Sequence, residues 1–314
     1  MDPKDLGEWN TELLNIAPGV YAYIQAKGGW FINNAGVIVG ENDVIVVDSL
    51  ANSKRTETFI REIRKTTSNP FSYLINTHHH VDHTWTNHMF FPAKTICHTR
   101  CREETLKEID INPYLYTQIF PSLDVEGARA TPQDISFEKE VILHQRTREG
   151  IREIRLVYVG PAHTVSDVFV HLPQEKVVFC GDLLFAEPCT PFALMGSFPG
   201  YIRAIDLLIE LRADVYVPGH GPLSRGRRAL EKAKEYLSFV RREAWKRFEE
   251  GMSVEEAIRE IELGEYENWS ERERIVGNVE RAYRELRGEP VEIPLPELLE
   301  ILARMMSYRK EVSG

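Results

Sequence analysis

The chain has 314 residues, which is enough for roughly two domains of ordinary size. Hydrophobic residues make up 43% and charged residues 27% of the total, so wholesale disorder is excluded. With 38 basic against 48 acidic side chains, the formal net charge of −10 disfavours broad contact with phosphate backbones, and we expect no nucleic-acid partner.

The amino-terminal segment and the cysteines bear on location. The first eight residues have acidic side chains where a signal peptide carries basic ones, and no stretch approaches the ~18 apolar residues of a membrane helix. We therefore expect a cytoplasmic protein that contacts no membrane. The cysteines are too few for a disulfide framework and match no zinc-binding spacing, so we interpret them as small buried hydrophobic residues: Cys97, Cys101, Cys180 and Cys189.

Residues 1–225 alternate short apolar segments with polar or amphipathic ones, the pattern of a domain that contains both sheets and helices. Consecutive strands near the start predict hairpins, so the class is α/β (α+β) with mixed sheets covered by helices. Strands are predicted at residues 20–25, 31–39, 43–47, 72–76, 154–159, 168–172, 176–180 and 214–217. Amphipathic helices are predicted at residues 55–65 and 202–211.

Residues 226–314 lack strand-like runs and predict a helical C-terminal domain, with 17 basic and 20 acidic side chains among its 89 residues. Apolar residues recur at intervals of three and four from Leu230 to Phe248, which predicts a long helix that ends near Gly251. Ser253 and Ser270, each followed three residues later by Glu, predict two helix starts of the capping-box type.

The last predicted helix begins near Pro296 and carries an apolar stripe at helical spacing: Leu298, Ile301, Leu302, Met305 and Met306. We expect this stripe to pack against the preceding domain. The alternative is a contact between subunits, which would make the protein a homo-oligomer through its C-terminal helices. The many Glu and Arg residues of this region, together with only five Gln in the chain, indicate a thermophilic source.

A dense group of metal-binding residue types follows the strand predicted at 72–76, where residues 78–83 read His-His-His-Val-Asp-His. Imidazoles and a carboxylate packed so closely are costly to bury unpaired, and a divalent metal removes that cost. On a tight loop His78 and His80 point the same way while His79 points away, and Asp82 and His83 continue toward a second position. The alternative for a histidine triplet alone is a solvated surface loop.

Three further motifs each place one ligand-type side chain at the end of a predicted strand. Ala-His-Thr brings His163 after residues 154–159, Gly-Asp-Leu-Leu-Phe brings Asp182 after residues 176–180, and Pro-Gly-His-Gly brings His220 after residues 214–217. The loops beyond strand ends gather functional groups in α/β proteins. We therefore expect these side chains to join the histidine-rich loop.

Taken together, His-x-His-x-Asp-His and the three later motifs resemble the metallo-β-lactamase superfamily of hydrolases over about residues 15–225. The resemblance implies that residues 1–225 form a metallo-β-lactamase-like catalytic domain, a four-layer αβ/βα sandwich of two mixed β-sheets with a metal pair at one edge. It assigns one metal to His78, His80 and His163. It assigns the second metal to Asp82, His83 and His220, and it gives Asp182 the role of bridging the two metals.

The resemblance also implies two divalent metal ions, and the nitrogen and oxygen donors suit zinc first, with iron or manganese as alternatives. Two cations that share a water lower its pKa from near 15.7 to roughly 7 and so generate a bridging hydroxide at neutral pH. Asp82 is the expected catalytic residue, because it can ligate a metal and also orient the nucleophile. The expected activity is hydrolysis of ester-type bonds in carboxylic esters, thioesters, lactones or phosphoesters.

Several branches of the family fit less well. The family's clinically known lactamases usually carry Cys at the position of Asp182, so antibiotic hydrolysis is not expected. Similar lactonases have Tyr three residues after the bridging Asp, where this chain has Phe185, and residues 186–189 lack the basic groups of glyoxalase-II-like thioesterases. A persulfide dioxygenase-like oxidoreductase with mononuclear iron and a metal-dependent nuclease remain as alternatives.

Apolar residues near the ligand motifs predict the substrate pocket: Trp30, Phe31, Phe185, Phe192, Met195 and Phe198. Such a lining favours a small, fairly apolar substrate over a polyanion. Outside the ligand set, Asp48 is expected either to support the histidine loop as a hydrogen-bond acceptor or to cap a turn. Asp167 is expected to cap the segment after His163 rather than to orient that imidazole.

Overall fold

The computed structural model describes residues 10–27 and 29–313. The first sheet holds seven strands that lie side by side in chain order: β1 (Glu12–Ala17), β2 (Val20–Ile24), β3 (Ala35–Val39), β4 (Val44–Val47), β5 (Phe71–Ile75), β6 (Lys94–His98) and β7 (Ile135–Phe137). Strands β1 to β4 are antiparallel to their neighbours, whereas β4 to β7 are parallel. The sheet is therefore mixed.

The second sheet has six strands, also in chain order: β8 (Glu140–Thr147), β9 (Gly150–Tyr158), β10 (Val168–Leu172), β11 (Val177–Phe185), β12 (Val215–His220) and β13 (Ser224–Arg225). All pairs are antiparallel except β11 and β12, which are parallel because a helix connects them. The two parallel strands are those that carry the predicted ligands Asp182 and His220.

Nine helices are described: α1 (Ser53–Thr66), α2 (Val81–Thr84), α3 (Thr99–Lys107), α4 (Tyr114–Thr117), α5 (Phe198–Glu210), α6 (Arg228–Glu249), α7 (Val254–Glu260), α8 (Arg274–Leu286) and α9 (Leu295–Ser313). Asn52 caps α1, because its side chain accepts a hydrogen bond from the Arg55 amide at 3.0 Å. No helix in the described ranges is long and apolar enough to cross a membrane.

The core shows why the elements form four layers. Ile38 and Ile75 of the first sheet belong to the same buried cluster as Leu156 and Phe179 of the second, so the two sheets pack face to face. Phe59 of α1 covers the other side of the first sheet, and helices α5 and α6 cover the other side of the second. The predicted four-layer αβ/βα sandwich with a C-terminal helical region is confirmed.

The predicted strands and helices are all present, with ends that differ by a few residues. The largest difference is in the strand predicted at 176–180, which continues to Phe185. The strand predicted at 31–39 begins only at Ala35. The preceding residues form a turn in which Phe31 has φ +63° and the Asn34 side chain donates to the carbonyls of Pro218 and Gly221 at 3.0 and 2.8 Å. The turn thereby fixes this segment beside the end of β12.

In the helical tail, residues 226–314, one of the two predicted capping boxes is present and the other is not. Ser253 and Glu256 form the reciprocal pair at the start of α7. Ser270 does not cap a helix: its amide and hydroxyl donate to the Pro188 carbonyl at 2.8 and 3.0 Å, and α8 begins four residues later. The Ser270 amide and hydroxyl therefore bond to Pro188, which lies outside the tail, and not to groups within a capping box.

Helix α9 buries its apolar stripe against the rest of the chain. Leu298, Ile301, Leu302 and Met305 belong to the same cluster as residues of β11 and α5. The boundary predicted at residue 225 falls between β13 and α6, and the division into two domains stays a prediction. A contact between subunits through these helices also stays a prediction.

Candidate metal centre

The predicted ligands come from four loops or strand ends at one edge of the sandwich. The histidine-rich segment follows β5, His163 lies between β9 and β10, Asp182 lies within β11, and His220 ends β12. The β11–β12 approach depends on Gly219, because a Cβ at that position would lie 1.9 Å from Oδ1 of Asp182. This glycine leaves the space in which the Asp182 carboxylate sits beside His220.

Two groups of ligand atoms form, each with its members within 4.8 Å of one another: His78, His80, His163 and Asp182; then Asp82, His83 and His220. In the first group, Nε2 of His163 lies 3.2 Å from Oδ2 of Asp182 and 2.9 Å from Nδ1 of His80. In the second group, Nε2 of His220 lies 3.3 Å from Oδ2 of Asp82. The structure brings all seven predicted ligands together.

Asp182 lies between the two groups. Its Oδ1 is 3.2 Å from Nε2 of His83, and its Oδ2 is 3.4 Å from Nε2 of His220. These two histidines belong to the second group, while the carboxylate also meets His163 of the first. A carboxylate with two oxygens can therefore serve both positions.

The donor set fits divalent cations. Nε2 of His78, Nε2 of His83 and Oδ1 of Asp182 are buried and make no hydrogen bond. Leaving such polar atoms unpaired inside a protein costs free energy, and coordination to a cation removes the cost. Together with the family described below, the two groups indicate divalent metals as the cofactors.

The surroundings of the clustered histidines shift their pKa values in different directions. Burial alone would lower the pKa of His83, but the carboxylates of Asp182 and Asp48 raise it well above its usual value. Burial likewise opposes the charge on His220, whose pKa Asp182 nevertheless raises to about 9. Burial and the neighbouring His83 lower the pKa of His78. Metal binding therefore displaces protons, because histidine ligates in its neutral form.

Hydrogen bonds behind the ligands fix their orientation. Oδ2 of Asp48 lies 2.8 Å from Nδ1 of His83, and the same carboxylate accepts from the amide and hydroxyl of Thr77 at 2.8 Å each. The backbone carbonyl of Phe192 lies 2.5 Å from Nδ1 of His163. Of the two roles expected for Asp48, the support of the histidine loop is the one its contacts describe.

Two other side chains near the ligands have different partners. His79 turns away from the cluster, as predicted, with Nδ1 2.9 Å from the Ser166 hydroxyl. Asp167 accepts from the amides of Ala162 and Thr164 at 3.1 and 2.8 Å, so it braces the loop around His163. Burial raises the pKa of Asp167 to about 6.

A cavity of about 490 Å³ opens beside the ligands. Five of the six predicted pocket residues line it: Trp30, Phe31, Phe185, Phe192 and Met195. Phe185 stacks on His220, with ring centres 4.9 Å apart and planes 2° from parallel. The prediction for Phe198 is wrong. This residue begins α5, where the Ser197 side chain caps the helix, and its fully buried ring packs into the core.

Sequence reasoning missed the part of the cavity wall that comes from the helical tail. Leu295, Leu298 and Leu302 of α9 line it, and so does Arg274 at the start of α8. The guanidinium carbon of Arg274 lies 4.7 Å from the centre of the Phe185 ring. The apolar stripe of α9 indicated burial, but a helical pattern carries no information about which surface it meets. No pattern marked Arg274.

A sandwich of two mixed sheets with a histidine and aspartate cluster at its edge defines a class of metal-binding hydrolase folds. The chain belongs to the metallo-beta-lactamase superfamily, whose family model matches residues 28–220. Members of this superfamily are metal-dependent hydrolases, so the chain is hydrolase-like in fold and site.

Several known proteins are similar. The 2,4-dinitroanisole O-demethylase subunit alpha of Nocardioides sp. (strain JS1661) is 24% identical over 187 residues, which cover 58% of this chain and 51% of that one. The stereoselective inverting sec-alkylsulfatase Pisa1 from Pseudomonas sp. superposes with a TM-score of 0.68 at 15% identity, covering 90% of this chain and 51% of that one. The chain therefore spans about half the length of these two proteins.

A shorter solved structure matches over nearly its whole length. A metallo-beta-lactamase family protein from Thermus thermophilus superposes with a TM-score of 0.64 at 16% identity, covering 87% of this chain and 95% of that one. Identities this low report on the fold alone.

Proposed function

We propose that this protein is a metal-dependent hydrolase that holds two divalent metal ions, with zinc foremost, and cleaves an ester-type bond in a small, fairly apolar substrate. One observation carries the proposal: the Asp182 carboxylate lies between two histidine groups, 3.2 Å from Nε2 of His163 and 3.2 Å from Nε2 of His83. A carboxylate in that place suits a bridge between two cations.

The residues around the cluster have separate tasks. Bound divalent cations would supply Lewis acidity and a water whose pKa is lowered to roughly 7. Asp82 lines the cavity with its Oδ2 3.3 Å from Nε2 of His220, so its carboxylate can orient an attacking water by accepting a hydrogen bond. Asp48 keeps the His83 ring in place. Trp30 and Phe192 line the cavity beside the ligands and would shield the scissile bond from bulk water.

The cavity supports the choice of substrate. Aromatic and aliphatic side chains form most of its wall, and within the described residues its cationic members are Lys107 and Arg274. A pocket of about 490 Å³ suits a small molecule. Carboxylic esters, thioesters, lactones and phosphoesters are the proposed bond types. The names of the similar sulfatase and demethylase add alkyl sulfates and aryl methyl ethers to the compounds worth testing.

Neither alternative has a supporting observation. A mononuclear iron site would leave Asp82, His83 and His220 without a role, although they form a group of their own. A nuclease needs a basic groove for its polyanionic substrate, and the cavity wall is apolar. The cytoplasmic location, the small-molecule partner and the absence of nucleic-acid and membrane partners stay predictions.

The test combines metal analysis with a chromogenic panel on the full chain. We expect two metal ions per chain and turnover of at least one ester, thioester, lactone or phosphoester. Asp82→Asn should lower turnover, whereas Asp110→Asn, at an exposed position after α3, should not. Metal-loaded protein that is inert across the panel would contradict the proposal, and iron near one per chain with oxygen uptake on a persulfide would favour the dioxygenase.

A further inference from the structure

We infer that helix α8 positions the metal ligand His163 by holding the loop between β11 and α5, and that Asn278 is the main positioning residue. The loop comprises residues 186–197 and is called the β11–α5 loop below. The inference rests on the proposed metal centre and extends it, because it makes one of the two ligand groups depend on the helical tail.

Backbone groups of residues 190–194, in the middle of the β11–α5 loop, pair with side chains of α8. The Thr190 carbonyl accepts from Arg274 at 2.5 Å, and the Leu194 carbonyl accepts from Nε of Arg281 at 2.8 Å. At the end of the loop, the Phe198 amide donates to Glu285 at 2.8 Å. These side chains, called the α8 clamp below, pair backbone amides and carbonyls that have no partner in a sheet or helix.

Asn278 occupies the centre of the α8 clamp. Its Nδ2 donates to the Pro191 carbonyl at 2.9 Å, and its Oδ1 accepts from the Ala193 amide at 2.8 Å. The two bonds therefore bracket Phe192. The four α8 residues whose side chains bond to the backbone of this loop or of the first residue of α5 are spaced by four, three and four positions, which places them on one face of the helix: Arg274, Asn278, Arg281 and Glu285.

The bracketed residue is the one that orients the ligand. The Phe192 carbonyl lies 2.5 Å from Nδ1 of His163, so it accepts a hydrogen bond from the N–H of that nitrogen and leaves the Nε2 lone pair free. Nε2 in turn lies 3.2 Å from Oδ2 of Asp182. Small shifts of the Phe192 carbonyl would rotate the imidazole away from the first ligand group.

The role of Asn278 is indirect. Its side chain is fully buried and does not line the cavity, so it touches neither the substrate nor the cluster. By contrast, His83 of the second group is oriented by Asp48, which accepts a hydrogen bond from Thr77 in the segment just after β5. Disturbing Asn278 should therefore affect the first ligand group and spare the second.

The experiment measures metal affinity by competition with a chromogenic chelator, first with Zn²⁺ and then with Co²⁺, whose visible absorption reports on each site. Asn278→Leu keeps the branched shape of the side chain but leaves the Pro191 carbonyl and the Ala193 amide unpaired. We expect the affinity for one of two equivalents to fall by about 10–100-fold, the range for lost ligand support, while the other changes less than about twofold. Asn278→Asp keeps the acceptor for the Ala193 amide but sets a carboxylate oxygen against the Pro191 carbonyl, so it should also lower the affinity at the same site.

Val240→Ala is the matched control, since it removes buried apolar contacts from α6 without touching the loop's polar groups. It should lower thermal stability and leave both affinities unchanged. If Asn278→Leu left both metal affinities unchanged, the inference would be overturned. The same holds if Asn278→Leu and Val240→Ala lowered the metal affinity of both sites equally. Either result would leave the proposed function standing. A wild-type chain that binds no metal would overturn both.

Discussion

The guanidinium of Arg274 lies over the indole ring of Trp30, with its carbon 4.6 Å from the ring centre. The adjacent residue, Glu273, accepts a hydrogen bond from the Trp30 indole at 2.8 Å. Two consecutive residues of the tail thus hold an aromatic residue that precedes β3. The orientation of this part of the cavity wall is set by contacts between distant parts of the chain.

Arg274→Met should destabilise the fold and weaken substrate binding. The change removes a cation–π contact and leaves the buried Thr190 carbonyl without its donor, so we expect a loss of about 2 kcal/mol in the free energy of unfolding. Denaturant titration measures it, and KM for an aromatic ester should rise. Arg259→Met, at an exposed position of α7, is the control. Equal unfolding free energies for the two variants would contradict the prediction.

Asp48→Asn should weaken metal binding without changing the backbone. Asp48 has φ +62°, a conformation that Asn tolerates well, so the loop should keep its path. The amide lacks the charge that holds the His83 imidazole, and metal affinity should fall by about 10–100-fold. Asp43→Asn, which alters bonds to Ser72 and Gln145 away from the cluster, should leave affinity unchanged. A fall in both variants would mean that the effect is not local.

Asp182→Ala should abolish most hydrolysis while the fold survives. Removal of the carboxylate between the two ligand groups should lower kcat by at least about 100-fold. His79→Ala should lower it far less, because His79 contacts Ser166 and belongs to neither group. Turnover of the best panel substrate, with circular dichroism to check the fold, compares the variants. Equal losses would show that the histidine loop works differently.

Much of the site was predictable because its information is local. His78, Asp182 and His220 each lie in or just beyond a strand whose apolar residues are continuous in the sequence, so motif and strand identify each other. Strand β8 was missed because it alternates exposed and half-buried residues and bears charged side chains. Edge strands of that kind lack the apolar run that reveals a central strand.

The errors at the cavity and in the helical tail have a common physical origin in contacts between distant segments. Phe198 follows Met195 by three residues, yet the cap at Ser197 starts a helix that turns the ring into the core. Ser270 matches a capping box, yet its hydroxyl bonds to Pro188. Arg274 enters the cavity only because α8 packs against the β11–α5 loop. None of these outcomes follows from spacing within one segment.

Glu108→Gln should change how stability depends on pH. Burial, with the neighbouring Glu104, raises the pKa of the Glu108 carboxyl to about 8 from an ordinary value of 4.5. The folded state therefore favours the protonated form, and this contribution to stability is full below pH 4.5 and is lost as pH rises to about 8. The variant should gain Tm relative to the wild type progressively over that interval. Glu103→Gln, exposed on α3, is the control for the substitution itself. A Tm difference between Glu108→Gln and the wild type that stays constant over this interval would contradict the prediction.

Leu298→Trp should change the substrate range of the proposed hydrolase by filling the cavity from the side of the tail. Leu298 lines the cavity from α9 and is 8% exposed, so a larger ring at this position leaves less cavity space for the apolar end of a substrate. Chain length should then decide the effect, since each methylene in an apolar pocket is worth at least about tenfold in kcat/KM. We expect kcat/KM for a p-nitrophenyl octanoate to fall by more than tenfold while that for the acetate changes little.

Leu207→Trp is the matched control, because Leu207 is 37% exposed on α5 and does not line the cavity. It should leave both esters unaffected. A loss that is equal for the short and the long ester in Leu298→Trp would mean that α9 influences catalysis through the fold as a whole. A selective loss for the long ester would instead assign the acyl chain to the side of the cavity that the tail builds.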